Sequence, residues 1–212
     1  MKNKFGDALQ KNIKENMWAY FAVTLFFAIG LAAGAFTVKA LDNNQKQELV
    51  TYLNGFFQTI SGEKVNNGRV LYQALKNNFQ TVFLMWILGI TIIGVPFTLF
   101  ITSFRGFIIG FTISFLIQGL GWKGVLFMIA AVIPQNILYI PCLLVISAIS
   151  LCFSLQVFKR KVKRGIVNIK GSIVSYTTTV AIAFLIMCTG CIIESYISPY
   201  LLQMMSNYMI TQ

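Results

Sequence analysis

The sequence predicts an all-α, polytopic membrane protein with five transmembrane helices, its N-terminus inside and its C-terminus outside. Of its 212 residues, 57% are hydrophobic and only 11% are charged, whereas about a quarter of the residues in a soluble domain are charged. Several apolar runs are as long as the roughly 20 residues that cross a bilayer as a helix. These runs lack the alternation of apolar and polar residues that is typical of β-barrel strands, so helices are the predicted spans.

The first span is predicted at residues 18–38, after a basic segment, 1–17, in which apolar residues recur every four positions. This segment is expected to be cytoplasmic and to lie on the membrane surface as an amphipathic helix. A helix that binds a partner is the alternative. Within the span, Gly30 and Gly34 form a small face that is suited to close helix packing.

Residues 39–78 are predicted to be the only sizeable extracytoplasmic segment. A helix is expected from about Asn43 to Ile60, because Asp42 is a good N-cap and apolar residues follow at helical spacing. Its apolar face consists of Leu49, Tyr52, Leu53, Phe56 and Phe57. That face can pack on the bilayer or on the helix bundle, or it can be a docking surface for an extracytoplasmic partner. Both interpretations can hold together.

The second and third spans are predicted at residues 79–104 and 106–118, with Arg105 between them. A charged residue between two apolar runs indicates a turn at the membrane surface, so Arg105 is expected to snorkel to the cytoplasmic interface. Gly106 and Gly110 open the third span, which is short for a full crossing.

The fourth hydrophobic stretch, residues 125–158, contains no charged side chain. As one helix it would be about 50 Å long, well beyond a hydrocarbon core of about 30 Å. It is predicted to be broken at Pro134 and Pro141, since proline removes a backbone donor and clashes with the preceding turn. Three polar side chains lie between the prolines: Gln135, Asn136 and Tyr139.

Two roles fit this polar break. Discontinuous helices line substrate paths in transporters, whereas amide side chains also form interhelical hydrogen bonds that fix a bundle or a dimer. The structural role is favoured, because no charged side chain lies in the stretch and none is expected across from it.

A basic cytoplasmic loop is predicted at residues 159–171, followed by the fifth span at 172–193 and an extracytoplasmic tail at 194–212. The whole chain, 1–212, is thus one membrane domain. The orientation follows from the excess of Lys and Arg in cytoplasmic loops. With the N-terminus inside, the inside segments carry eleven of the seventeen basic residues: Lys2, Lys4, Lys11, Lys14, Arg105, Lys159, Arg160, Lys161, Lys163, Arg164 and Lys170.

No catalytic constellation is recognisable, so the chain is predicted not to be an enzyme and to need no cofactor or metal. It has no histidine and only six acidic residues, so the commonest general base is missing and no paired carboxylates share a depth. The net charge of +11 is explained by cytoplasmic loops. Nucleic acid is therefore not an expected partner, and the lipid bilayer is.

Two short motifs resemble those of a known family. Residues 133–141 read Ile-Pro-Gln-Asn-Ile-Leu-Tyr-Ile-Pro, and residues 192–199 read Ile-Ile-Glu-Ser-Tyr-Ile-Ser-Pro. Together with the order of the segments, they resemble the stage II sporulation protein M family over essentially the whole chain. The motif residues are Pro134, Gln135, Asn136, Tyr139, Pro141, Glu194 and Pro199. Many wider members have Pro-His-Gly and a Glu in place of Pro134-Gln135-Asn136 and Tyr139. The loss of both ionisable groups matches the sporulation branch.

The resemblance implies a non-enzymatic scaffold for engulfment during endospore formation, in the cell membrane on the mother-cell side of the septum. It implies a protein complex in which this chain recruits the peptidoglycan-degrading stage II sporulation proteins P and D for cell wall remodelling. A homodimer is expected from the glycine motifs and the short third span. The alternative function is a transporter or transporter-like permease subunit that uses the broken fourth helix as its path.

Overall fold

A computed structural model describes residues 16–62, 66–163 and 169–200, with side chains except at 52–54, 56–62, 160–163 and 169–172. The helices, numbered in chain order, are α1 (Met17–Ala40), α2 (Asn43–Gly62), α3 (Asn67–Ile90), α4 (Gly94–Leu120), α5 (Trp122–Ala131), α6 (Ile133–Lys163) and α7 (Ile169–Ile192). A π-helical turn, Ile193–Ile197, extends α7, and helix continues to Tyr200. No strand occurs within these ranges, so the predicted all-helical fold is confirmed.

Within the described residues, four helical segments are long and apolar enough to cross a membrane. They are Met17–Ala40, Gly94–Leu120, Ile133–Lys159 and Ile173–Tyr200. These helices support the predicted membrane protein, with four candidate spans where the sequence predicts five. The other long helix, α3, is polar in its first half and apolar from Phe79 onwards. The predicted amphipathic segment, 1–17, lies almost entirely outside the described residues.

The parallel helices α1 and α4 form the closest helix pair in the described part of the chain. Gly30 of α1 faces Ser103 of α4, and a Cβ atom at this glycine would overlap the Ser103 carbonyl oxygen. Three more glycines meet the backbone of the other helix in the same way: Gly34 at Phe107, Gly106 at Phe27 and Gly110 at Leu31. The two Gly-xxx-Gly motifs therefore face each other and let the two backbones touch.

The turn before α4 lies at residues 91–93, and the prediction of a turn at Arg105 is wrong. Thr91 closes α3, because its backbone N–H and its hydroxyl both donate to the Leu88 carbonyl, at 3.0 and 2.8 Å. Gly94 begins α4 beside the same carbonyl, where a Cβ atom would overlap the Leu88 oxygen. From there α4 continues through Arg105 without interruption.

This turn redraws the second and third predicted spans. The segment 79–104 is the end of α3 and the start of α4, and the segment 106–118 is the rest of α4. Because α4 has 27 residues, it is not short for a crossing. The glycine motifs are also used within one chain. The homodimer was expected from the glycine motifs and from a short third span. Neither now supports it, and the homodimer stays a prediction.

The fourth hydrophobic stretch is interrupted at Val132, and the predicted break across Pro134 and Pro141 is not found. The short helix α5 ends at Ala131, and α6 starts at Ile133. Proline disfavours helical backbone at the residue before it and clashes with the carbonyl four residues earlier, which explains an interruption just before Pro134. Pro134 then lies in the first turn of α6, where proline is tolerated, and Pro141 lies inside a continuous helix.

Helix α6 is the central helix of the bundle. In its most apolar stretch 56% of the residues are buried, against 33% or less in the other candidate spans. Three fully buried serines on α6 bond to three other helices or turns. Ser147 accepts from Thr102 of α4 at 2.9 Å, Ser150 pairs with Tyr176 of α7 at 2.9 Å, and Ser154 donates to the Thr91 carbonyl at 2.6 Å.

Candidate functional site

A polar cluster lies inside the helix bundle, where α3, α4, α6 and the end of α7 meet. Arg105 is its cationic member, about 17 Å along α4 from Gly94 at 1.5 Å per residue. Its Nη2 atom donates to the Thr81 hydroxyl and, at 3.4 Å, to the Asn77 carbonyl. An ionisable residue at this depth in a membrane helix is costly and marks a functional site by default.

The acidic member of the cluster is Glu194, which lies in the π-helical turn after α7. The Tyr139 hydroxyl on α6 donates to Glu194 Oε2 at 2.6 Å. Glu194 is also close enough to attract the Arg105 guanidinium electrostatically. A π-helical turn re-aims the side chains that follow a helix and is frequent at functional sites. Here it directs the carboxylate into the bundle.

Asn78 of α3 completes the cluster from the opposite wall. This side chain is 4% exposed, and its Nδ2 atom donates to the Ala74 carbonyl at 3.0 Å and to Cys191 Sγ at 3.4 Å. Gly190 lets the Tyr139 ring approach α7, since a Cβ atom there would lie 2.6 Å from Tyr139 Cε1. The four cysteines of the chain are free thiols.

A small cavity of about 60 Å³ opens inside this cluster. Its polar lining comes from Asn78, Arg105, Asn136 and Tyr139, and its apolar lining includes Leu143 and Met187. At about 30 Å³ per water molecule, the space suits roughly two waters. The lining can bind and orient a small polar species, and it presents a cation, two amides and a phenol. Among the described residues, no three His, Cys, Asp or Glu side chains are grouped as metal ligands.

Comparison with protein families identifies a family to which this chain is similar. The sequence model of the family described as Stage II sporulation protein M matches residues 23–199. The chain belongs to this family. Its membership assigns the protein a role in sporulation. Neither the curated proteins nor the solved structures contain a match to this chain.

The two motifs that carry the family resemblance lie side by side. Besides the bond between Tyr139 and Glu194, Ser198 donates to Gln135 Oε1 at 2.9 Å. Asn136 instead bonds within its own helix, from Nδ2 to the Val132 carbonyl at 2.7 Å. The first two turns of α6 are thus joined twice to the segment that follows α7.

The prolines of these motifs have more peripheral positions. Pro134 is half-buried and Pro141 is exposed on α6, beside an apolar groove towards α7. Pro199 is buried in the last described helical residues. Proline has neither a backbone N–H nor a polar side chain, so none of the three donates a hydrogen bond to the cluster.

The predicted docking face on α2 is described only in part. The helix itself covers the predicted segment, from Asn43 to Gly62. Leu49 is half-buried. The other four side chains lie outside the described residues: Tyr52, Leu53, Phe56 and Phe57.

Three members of the cluster were missed by reasoning from sequence: Asn78, Thr81 and Arg105. Arg105 had a usable signal, because it is the one charged residue in the 27 residues of α4. Treating it as an intramembrane residue, not as a turn, would have found the cluster. The expectation that no charge faces the polar stretch of α6 is wrong, because Arg105 and Glu194 both lie there.

Proposed function

We propose that this protein is a non-enzymatic membrane scaffold of endospore formation that is required for engulfment. In this proposal it recruits the peptidoglycan-degrading stage II sporulation proteins P and D to the septal membrane, from the mother-cell side, for cell wall remodelling. Membership of the stage II sporulation protein M family supports the part of this proposal that concerns sporulation. The partners carry the hydrolytic chemistry.

The observation that carries the proposal is that polar side chains inside the bundle form hydrogen bonds between its helices. Tyr139, Gln135 and Asn78 are all bonded to other elements of the bundle. Interhelical hydrogen bonds of this kind hold transmembrane helices in one arrangement. A helix bundle held in one arrangement suits a protein that binds partners through a fixed surface. In this proposal that surface is on α2, which lies between two membrane segments.

The orientation of the scaffold follows if α3 is the fifth crossing. With the N-terminus inside, α2 is then extracytoplasmic, and the loop between α6 and α7 is cytoplasmic. Because Arg105 belongs to α4, the cytoplasmic segments carry ten of the seventeen basic residues, which are the eleven predicted ones without Arg105. That bias still favours this orientation.

The proposal is tested by replacing residues 43–60 with a flexible Gly/Ser linker in a spore-forming host. We expect the variant to remain in the membrane fraction and to lose co-purification of proteins P and D, with engulfment arrested. A matched variant, Tyr72→Ala, removes an exposed aromatic side chain from the neighbouring helix α3 and should recruit normally. Recruitment that persists after replacement of 43–60 would refute the docking role of α2.

A transporter or permease subunit is the second candidate function. The specific observation in its favour is a polar cavity lined by Arg105, Asn136 and Tyr139, next to a helix interruption at Val132. Discontinuous helices with ionisable groups at mid-depth form transport sites. Solute flux in proteoliposomes that falls in Arg105→Gln, Gln135→Ala and Asn136→Ala variants would support it. Flux that is equal in these variants and the parent chain would refute it.

A further inference from the structure

A groove lies where α2 folds over the C-terminal ends of α1 and α4. It has a volume of about 350 Å³, within the usual range for small-ligand sites. We call it the α2 groove and define it by its lining residues: Val38, Lys46, Gln47, Val50, Thr51, Phe115, Gln118 and Gly119. Because α1 and α4 are candidate spans, the groove lies at the level where their hydrophobic segments end.

The two walls of the α2 groove differ in chemistry. Its apolar surface comes from Val38, Val50 and Phe115, and its polar surface comes from the first turns of α2 together with Gln118. Among the described residues that line it, Lys46 is the only charged one. Lysine is a common phosphate ligand and acts as a point charge with three donors. The groove thus suits an amphiphile with a negatively charged end.

A ladder of phenylalanines leads from the groove along one side of α4. Successive ring centroids are 6.2–6.4 Å apart, and the rings are stacked. The ladder consists of Phe100, Phe104, Phe107, Phe111 and Phe115. The first two of these are 66% and 53% exposed. From end to end the ladder spans about 22 Å of helix, more than one leaflet of a hydrocarbon core about 30 Å thick.

We propose that the α2 groove and this ladder bind one anionic phospholipid. The phosphate lies at Lys46 with the neighbouring amide and hydroxyl groups, and an acyl chain lies along the phenylalanine ladder. Phe115 belongs to both parts, so the polar and apolar halves of the site are continuous. A purely apolar occupant would leave Lys46 without a counter-charge in the groove, whereas a lipid phosphate supplies one. The site does not depend on the proposed recruitment of partners.

The test uses the full-length protein in detergent, with native mass spectrometry to count bound lipid after addition of phosphatidylglycerol or phosphatidylcholine. We expect one phosphatidylglycerol to be retained in preference to phosphatidylcholine. Lys46→Gln should weaken its retention about fivefold, as expected for one lysine at an anionic lipid surface. The matched control is Lys76→Gln, which removes an exposed lysine of α3 away from the groove and should leave retention unchanged.

Three results would overturn the site. They are equal retention of the two lipids by the parent chain, unchanged retention in Lys46→Gln, and equal losses in the Lys46 and Lys76 variants, which would indicate general surface charge. A second variant, Phe111→Ser, tests the ladder. It should reduce retention of phosphatidylglycerol while the headgroup wall stays intact, and unchanged retention would contradict an acyl chain along α4.

Discussion

At the scale of single residues, the polar cluster is defined by pairs that no single helix could supply. The Tyr139 hydroxyl donates to the half-buried Glu194 carboxylate across 55 positions of sequence, and a carboxylate removed from water without a donor is costly. Glu194 lies in the π-helical turn Ile193–Ile197, so this bond joins α6 to an irregular part of the helix. Tyr139 therefore stabilises both the Glu194 carboxylate and the π-helical turn that carries it.

Removing that donor is the first prediction. Tyr139→Phe deletes one hydroxyl and leaves the carboxylate with a lost hydrogen bond, so we expect the free energy of unfolding to fall by about 1–2 kcal/mol. Thermal unfolding in detergent micelles measures it. Tyr196→Phe is the matched control, since Tyr196 is exposed in the same turn, and it should change stability little. Equal effects of the two variants would contradict a structural role for the bond.

Arg105 gives the second prediction. Arg105→Met keeps much of the side-chain length but loses the bonds to Thr81 and Asn77 and leaves Glu194 without the cation that attracts it. We expect a loss of about 2–3 kcal/mol, as for a hydrogen-bonded charge. Arg105→Lys should retain part of the stability because it keeps the charge. If Arg105→Met were as stable as the parent chain, the cluster would not depend on its cation.

The residues of this cluster were only partly predictable from sequence. Tyr139 and Glu194 were singled out by their motifs, but their pairing depends on a π-helical turn that hydrophobic periodicity does not reveal. Arg105 was misplaced because a charge within an apolar run has two physical solutions, snorkelling to the surface or pairing inside the protein. The choice depends on what the neighbouring helices offer, and α3 offers Thr81 and the Asn77 carbonyl.

At the scale of helices, segment types were more predictable than boundaries. The helix that follows the first predicted span was expected at about 43–60 and is found at Asn43–Gly62. The apolar run from 79 to 118, however, contains one charged residue, Arg105, which lies inside α4 and not at the turn. Its turn forms at Thr91, where a hydroxyl can close one helix and Gly94 can open the next at close range. Hydropathy alone does not distinguish such a turn from the Arg105 position.

The glycine interface between α1 and α4 gives the third prediction. In Gly34→Val the new side chain would overlap the Phe107 carbonyl oxygen, which is backbone and cannot rotate away. The helices must then separate and lose packing, so we expect a loss of more than about 2 kcal/mol in unfolding free energy. Gly119→Ala is the control, because its Cβ atom would lie 3.5 Å from Val50 Cγ2 in ordinary contact. Similar stability of the two variants would contradict close backbone packing.

At the scale of the whole molecule, the number of crossings determines which surfaces share a compartment. In the part of the chain that the structure describes, hydropathy and length identify four candidate spans. If α3 does not cross, the loop between α6 and α7 lies on the same side of the membrane as α2. If α3 crosses, the two lie on opposite sides. Its polar first half explains why α3 is not recognised by composition, and its buried face, with Ala74, Val82 and Met85, shows that it packs within the bundle.

The fourth prediction therefore concerns the orientation of α2 and the basic loop. In a chain whose four cysteines are replaced by alanine, single cysteines at Lys46, Lys76 and Lys161 would be labelled with a membrane-impermeant maleimide. We expect Lys46→Cys and Lys76→Cys to react in intact cells, and Lys161→Cys to react only after permeabilisation, because short basic loops stay in the cytoplasm. Labelling of both Lys46→Cys and Lys161→Cys in intact cells would show that α3 does not cross. The basic loop would then lie on the same side as α2, and α4, α6 and α7 would all cross the membrane in the direction opposite to the proposed one.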